Sequence, residues 1–369
     1  MFSRVYAIII KEFLAVWRDK KSRAVLIIPP LVQLFVFAFA ATLDVKNVSI
    51  AILNRDMGKA SFELIQRFKG APTFNHVRYL EGVKEIAPII DQQKAVMVIH
   101  IDEQFSRNLY AGKQAALQLI LDGRKSNTAQ IVQGYALNLI DQFSRDFAHD
   151  QGFPVQPTLL IGRNWYNPNL LYYWFNVPNL CGVLTMLVSL IVTALSVARE
   201  RELGTFDQLL VSPVQPFEIL LGKTIPAIII SLVEGTIIIL AAIFFFQIPF
   251  TGSLLLLYFS LFVFICSIVG VGLFLSALCT TQQQAILGSF IFISPAVLLS
   301  GYATPIENMP PWLQTFDLIN PLRYFLVIVK GIFLKDMPAH LVWANTWPMA
   351  LIAAFTLTGA DWFFRRRLE

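Results

Sequence analysis

Six stretches of about 20 apolar residues recur along this chain, and a helix of that length is what a bilayer core about 30 Å thick requires. They run from about Ala24 to Leu43, Tyr172 to Ala198, Thr224 to Phe246, Leu254 to Cys279, Ala285 to Tyr302 and Val342 to Ala360. Only the third contains an Asp, Glu, Lys or Arg, namely Glu234. Hydrophobic residues make up 56% of the 369 and charged residues 14%. Ordinary soluble domains are about 45–50% apolar and about 25% charged. A single water-soluble core cannot bury so much apolar surface, and the same figures exclude intrinsic disorder. The chain reads as a polytopic α-helical membrane protein with six transmembrane helices.

Loop charge sets the orientation. Arg4, Lys11, Arg18, Lys20, Lys21 and Arg23 precede the first stretch, Arg199, Arg201 and Lys223 follow the second, and Arg365, Arg366 and Arg367 end the chain. The opposite side carries only Arg323, Lys330 and Lys335 outside one long polar segment. Lys and Arg stay cytoplasmic in short loops. Both termini are therefore expected in the cytoplasm, with residues 44–171 on the outer side. The net charge of +5 belongs to this asymmetry and implies no nucleic acid. The basic start, the apolar run and Ala38-Phe39-Ala40 also resemble a cleaved signal peptide, but the basic region is long and Pro29 and Pro30 interrupt the run. Residues 1–23 place Phe2, Val5, Tyr6, Ile9, Phe13, Leu14 and Trp17 at helical spacing among cations. This is the pattern of a helix lying in the headgroup plane; an extension of the first span is the alternative.

Residues 44–171 hold 14 basic and 12 acidic residues, enough chain for one small domain. Strand-like runs at 48–53, 73–79, 95–101 and 116–121 alternate with helical runs at 59–68, 82–91, 104–111 and 126–149. That alternation predicts an inserted outer α/β domain, periplasmic if the membrane is a bacterial inner one. No catalytic set is visible in it. Asp102 reads as a helix N-cap and Asp122-Gly123 as a turn. Cys181, Cys266 and Cys279 lie in apolar runs, so neither a disulfide framework nor a metal pair is expected. Gly222-Lys223-Thr224 lacks the upstream glycine of a P-loop, where Phe217 stands instead. The chain is therefore expected to bind no cofactor, and any ATP drive must come from a partner.

The segment after the second stretch is the most informative. It reads Ala198-Arg-Glu-Arg-Glu-Leu-Gly-Thr-Phe-Asp-Gln-Leu-Leu-Val-Ser-Pro213. Arg199, Glu200, Arg201 and Glu202 can pair with one another or with a partner. Thr205 is a candidate cap for a short helix with Phe206, Leu209 and Leu210 on its apolar side, ended by Pro213. Such a helix suits another protein's groove, or it only orients the next span. Residues 199–223 form the expected loop.

This run resembles the coupling-helix region of ABC-2 type transporter permeases. Lys11-Glu12-Phe13 with Arg18-Asp19-Lys20, Gly301-Tyr-Ala-Thr-Pro-Ile-Glu-Asn-Met-Pro310, and Asn320-Pro321-Leu322 are similar to the same family. Leu121-Asp-Gly-Arg with Asn127-Thr-Ala resembles its bacterial drug-exporter subgroup with a long periplasmic loop. The resemblance spans essentially the whole chain. It departs at Asp207, where the family often has Glu. It implies a permease subunit in the bacterial inner membrane, paired with a second copy or a close paralogue. A separate cytoplasmic ATPase carrying ATP and Mg would dock at Arg199, Glu200, Arg201, Glu202, Gly204, Thr205, Asp207, Leu209, Leu210 and Pro213. A periplasmic membrane-fusion adaptor and surrounding lipids are the other implied partners. The implied cargo is hydrophobic or amphiphilic, cationic drugs included. Residues 303–335 resemble re-entrant outer helices, and an interfacial helix pair fits them equally. Glu234 has two open readings, a cation or proton site and a buried helix–helix contact. Gly270, Gly272 and Ser276 suggest close helix packing. A membrane-anchored docking protein acting through its outer domain is the competing reading of the whole.

Overall fold

The computed structural model describes residues 2–18, 20–39, 48–152, 167, 171–205 and 214–366. The chain forms two compact units, Met1–Ala41 with Asn164–Glu369, and Thr42–Arg163. It begins with helices α1 (Phe2–Arg18) and α2 (Lys20–Phe39) of the first unit.

The second unit contains β1 (Ser49–Asn54), α3 (Lys59–Gly70), β2 (His76–Tyr79), α4 (Ile86–Asp91), β3 (Met97–Ile101), α5 (Phe105–Tyr110), β4 (Leu117–Leu121) and α6 (Ser126–Asp150). Its sheet has the order β2-β1-β3-β4, with β1 parallel to β2 and β3, and β4 antiparallel to β3. Alternate residues of the central strands face opposite ways. Ile50, Ile52, Met97 and Ile99 pack against Leu64 and Phe68 of α3 and Phe143 of α6. Ala51 and Val98 pack against Ile86, Ile89 and Ile90 around α4. Burial on both faces explains why β1 is apolar without a break. The weak strand expected at 73–79 shortens to an exposed edge at 76–79. Asp102 is not the N-cap of α5; Gln104 holds that position and makes no side-chain cap bond.

Asp122 is nearly buried after β4, where Arg124 grips both of its oxygens at 2.8 and 3.0 Å and donates to Ile90 O at 2.7 Å. The Asp-Gly-Arg turn thus ties the end of β4 to α4. Asp56 accepts from Ser106 Oγ at 2.5 Å and from Gly58 N at 3.2 Å. Burial alone would raise its pKa, but hydrogen bonds from Ser106, Ser61 and Gly58 outweigh it and hold the carboxyl below its usual value.

The first unit continues with α7 (Tyr172–Glu202), α8 (Pro216–Leu240), α9 (Leu254–Leu278), α10 (Gln282–Leu299), α11 (Pro311–Phe316), α12 (Pro321–Lys335) and α13 (Ala339–Arg366). A π-helical turn, Ala241–Phe245, prolongs α8. Among the described residues five helices are long and apolar enough to cross a membrane. Six were expected; the remaining one, α2, contributes an apolar part of Ile27–Phe39, and its expected end at 43 lies outside the described residues. Side chains such as Leu287, Ile291, Leu351 and Phe355 are left exposed by the fold. An apolar surface of that extent belongs against hydrocarbon or another protein.

The central helix is α7, and small residues bring its neighbours close. A Cβ on Gly272 would collide with Thr193 of α7, and one on Gly270 with Thr356 of α13. Hydroxyls at these contacts bond to backbone across the interface, Ser276 Oγ to Ala194 O at 2.6 Å and Ser267 Oγ to Met349 O at 2.8 Å. In an apolar medium such packing and bonding hold helices together, because water expulsion no longer drives them. At 15 residues α12 is too short to span. Its buried face, including Phe325 and Leu326, nests against Gly182 of α7, and Phe325 stacks on Phe264 of α9 at 4.5 Å.

Candidate coupling site at the converging helix ends

Helix boundaries run past the apolar segments. Arg199–Glu202 form the last turn of α7, and α8 starts at Pro216 rather than near Thr224. Pro216 opens α8 with a preset φ, and a capping box joins Gln215 N to Glu218 Oε2 at 3.0 Å. Both ends of the expected loop 199–223, at 199–202 and 216–223, are therefore helical.

Successive helical residues point about 100° apart, so the Arg-Glu-Arg-Glu turn fans its side chains around α7. Arg199 donates to Ala15 O of α1 at 3.4 Å. Arg201 donates to Ala277 O and Cys279 O, at 2.8 and 3.1 Å, where the helical ladder of α9 ends. Glu202 accepts from Gln282 N at 2.8 Å in the first turn of α10. Each charge also has the sign that the adjoining helix dipole favours.

Glu200 enters a buried ionic cluster. Lys223 of α8 places Nζ 2.8 Å from Glu200 Oε2 and 2.8 Å from Glu12 Oε1 of α1. Ser196 adds its carbonyl at 3.2 Å and its hydroxyl at 3.1 Å. Lys11 of α1 pairs with the other oxygen of Glu200. Lys223 is only 2% exposed, so its charge depends on these partners. Beside the cluster Ile8 of α1 fills the space that a side chain on Gly222 would need. A cleft of about 480 Å³, lined by Lys11, Glu12, Ser196, Arg199, Glu200 and Thr205 among others, opens over it.

The end of α7 has the hydrogen bonds of a Schellman motif. Gly204, at φ +66°, donates to Arg201 O at 3.0 Å, and Thr205 N donates to Glu200 O at 2.9 Å. Thr205 thus closes α7, and its hydroxyl bonds Glu200 O at 3.3 Å. A role as cap of a following helix involves residues 206–213, which lie outside the described residues, as do Asp207, Leu209, Leu210 and Pro213. Leu203, which the sequence pattern did not single out, is 66% exposed at this end. Lys11, Glu12, Ser196 and Lys223 were also missing from the expected site. Their partners lie up to 211 positions away, and Gly222-Lys223-Thr224 had only been weighed as a nucleotide motif.

Glu234 stands apart from this cluster on α8. Both of its carboxylate oxygens are buried and make no hydrogen bond. Among the described residues no group of three or more His, Cys, Asp or Glu could hold a metal.

The family described as ABC-2 family transporter protein matches residues 20–360. The probable multidrug ABC transporter permease YbhR of Escherichia coli K12 is 47% identical over 368 residues, covering 100% of both chains. The probable multidrug ABC transporter permease YbhS of the same strain is 30% identical, over 99% of this chain and 98% of its own. The inner membrane transport permease YhhJ is 26% identical over 97% and 96% respectively. With a family match and a full-length relative of this similarity, the chain belongs to the ABC-2 family of transporter permeases.

Proposed function

We propose that this permease is the transmembrane subunit of an ATP-driven exporter in a bacterial inner membrane. It moves hydrophobic or amphiphilic compounds, cationic ones included, out of the cytoplasm or the inner leaflet. The names of the similar permeases support drug export. A separate ATPase chain, with its ATP and Mg, supplies the energy. Two permease chains, identical or closely paralogous, form the membrane unit, and the outer domain receives a periplasmic adaptor.

One observation carries the coupling part of this reading: the Arg-Glu-Arg-Glu turn ties α7 to α1, α8, α9 and α10. An ATPase that pushes on residues 203–215 loads α7 and α8 directly. Through the charge cluster and the paired helix ends, α1, α9 and α10 must follow. Packed elements of this sort switch between discrete arrangements rather than deform gradually. ATP binding then shifts the balance between two states of the pathway. On this view Glu200 and Glu202 transmit the movement from within, and the partner touches residues within 203–215, the exposed Leu203 among them.

The test is co-purification. The full chain is expressed in its own host, solubilised in mild detergent, and scored for accompanying ATPase activity beside Leu203→Asp and Asp207→Lys variants. Wild type is expected to carry the activity and the variants to lose it with unchanged melting temperatures. A folded wild-type protein that brings no ATPase would overturn the proposal and favour the docking-protein reading.

A further inference from the structure

Glu234 lines a cleft of about 340 Å³ on the apolar side of the helical unit. Its walls come from α1 (Phe13, Trp17), α2 (Ile27, Leu31) and α8 (Val233, Ile237), with further apolar residues of these helices and Val188 of α7. Two charged residues line it, Glu234 and Arg23. Arg23 holds its guanidinium 5.8 Å from the centre of the Trp17 ring, a cation–π contact near the start of α2. The carboxylate oxygens of Glu234 have no hydrogen-bond partner, from Arg23 or any other described residue.

That arrangement is unlike every other acidic group in this unit for which hydrogen bonds or ion pairs are described above. Glu12, Glu200 and Glu202 all face a lysine or a backbone N–H. Kept ionised among Val and Ile, such a carboxyl costs stability, and no described residue offsets that cost. A ligand that brings its own positive charge removes that cost. The cleft's size suits a compact organic molecule. Its walls are apolar, so the rest of the ligand must be apolar too. Val233, Ile237 and Ile27 are each about half exposed on the protomer, so such a ligand can arrive sideways from the lipid. A water-borne inorganic cation would have to give up its hydration against hydrocarbon and gain one carboxylate in return.

We infer that the cleft between α1, α2 and α8 is a binding site for lipophilic organic cations, with Glu234 as the counter-ion and the Ile27–Val233–Ile237 surface holding the apolar body. This deepens the exporter reading, on which it rests for the direction of movement. The binding itself needs neither ATP nor an ATPase.

The test uses the full-length protein in nanodiscs of neutral phospholipid, with radiolabelled tetraphenylphosphonium as cation and an uncharged tetraphenyl analogue as control. Wild type is expected to bind the cation saturably. Glu234→Gln, nearly isosteric, should weaken cation binding by at least about tenfold, equivalent to about 1.4 kcal/mol, and leave the neutral analogue unaffected. Val233→Trp, which fills the cleft and leaves the carboxylate in place, should reduce binding of both. Equal cation binding by wild type and Glu234→Gln overturns the inference, as does an absence of saturable binding to wild type. Were Glu234→Gln to misfold, cation binding undiminished in folded Val233→Trp would overturn it instead. ATPase co-purification is scored on the same preparation, so loss of this site and loss of the exporter reading give different results.

Discussion

In the unit Thr42–Arg163, Arg67 meets Asp146 at 2.6 Å with 27% and 59% of the two side chains exposed. In the helical unit, Lys223 meets Glu12 at 2.8 Å with 1% and 12% exposed. The distances are nearly equal, and the consequences are not. Water screens the first pair and replaces either partner cheaply. The second has little water to fall back on, so each charge is tolerable only while the other is present. Apart from Arg124–Asp122, the ion pairs described in the α/β unit lie at its surface, whereas those around Lys223 tie α1 and α8 to the end of α7.

This contrast is open to attack by substitution. The largest expected effect is Lys223→Met, which leaves Glu12 and Glu200 facing one another with Lys11 alone. A loss of about 3–5 kcal/mol is expected, read as an early transition in detergent unfolding, with α1 the first helix to lose exchange protection. Arg201→Gln should cost less, about 1.5–3 kcal/mol, because charge-assisted bonds to the last carbonyls of α9 are removed. The same unfolding titration ranks the two, and an Arg201→Gln effect exceeding that of Lys223→Met would break the comparison.

Beside Asp122, which Arg124 holds, the α/β unit buries a second carboxylate held by hydrogen bonds, that of Asp56. Its folded pKa lies below its unfolded value. Its contribution is therefore complete above the unfolded value of about 3.9 and disappears as pH falls through the lower folded value. Asp56→Ala should cost about 1–3 kcal/mol at neutral pH by taking the acceptor from Ser106 Oγ and Gly58 N. Hydrogen exchange of peptides covering 49–61 in the full chain should show protection lost as the pH falls below about 4 in wild type. A variant with the same acid profile as wild type would remove Asp56 from that role. The smallest effect belongs to Arg67→Gln, about 0.2–1 kcal/mol and reduced by salt. A larger, salt-independent loss would mean that this surface pair is not behaving as one.

The two units also differ in how much the sequence revealed. Strands β1, β3 and β4 lie within two residues of their expected positions, because continuous or alternating apolar runs have few other ways to be buried. Hydropathy located the apolar part of each long helix and missed the ends. It tracks where hydrocarbon begins, whereas a helix ends where its caps are, as Gly204 and the Gln215–Glu218 box show. Arg199–Glu202 looked ready to meet another protein because four adjacent charges usually face water. Here, four neighbouring helices supply partners as well. No local pattern links Lys223 to Glu12 or Lys11 to Glu200, so that cluster was invisible until the fold assembled it. Glu234 was conspicuous for the opposite reason, as the one charge in an otherwise uncharged set of apolar runs.

Helix α7 runs 31 residues without a break, roughly 46 Å at 1.5 Å per residue. At one end Asn176 donates to Phe37 O at 2.5 Å and accepts from the Tyr302 hydroxyl at 2.6 Å. At the other stands the Arg-Glu-Arg-Glu turn. A shaft keyed at both ends is stiff against twisting as well as bending. A few degrees of rotation at Glu200 would have to reappear at Asn176 or shear one of the two sets of bonds. The gearing ratio between the two faces would then be close to one. On the proposed coupling, a change that loosens either key, such as Asn176→Ala, should leave the loaded end turning without moving the other.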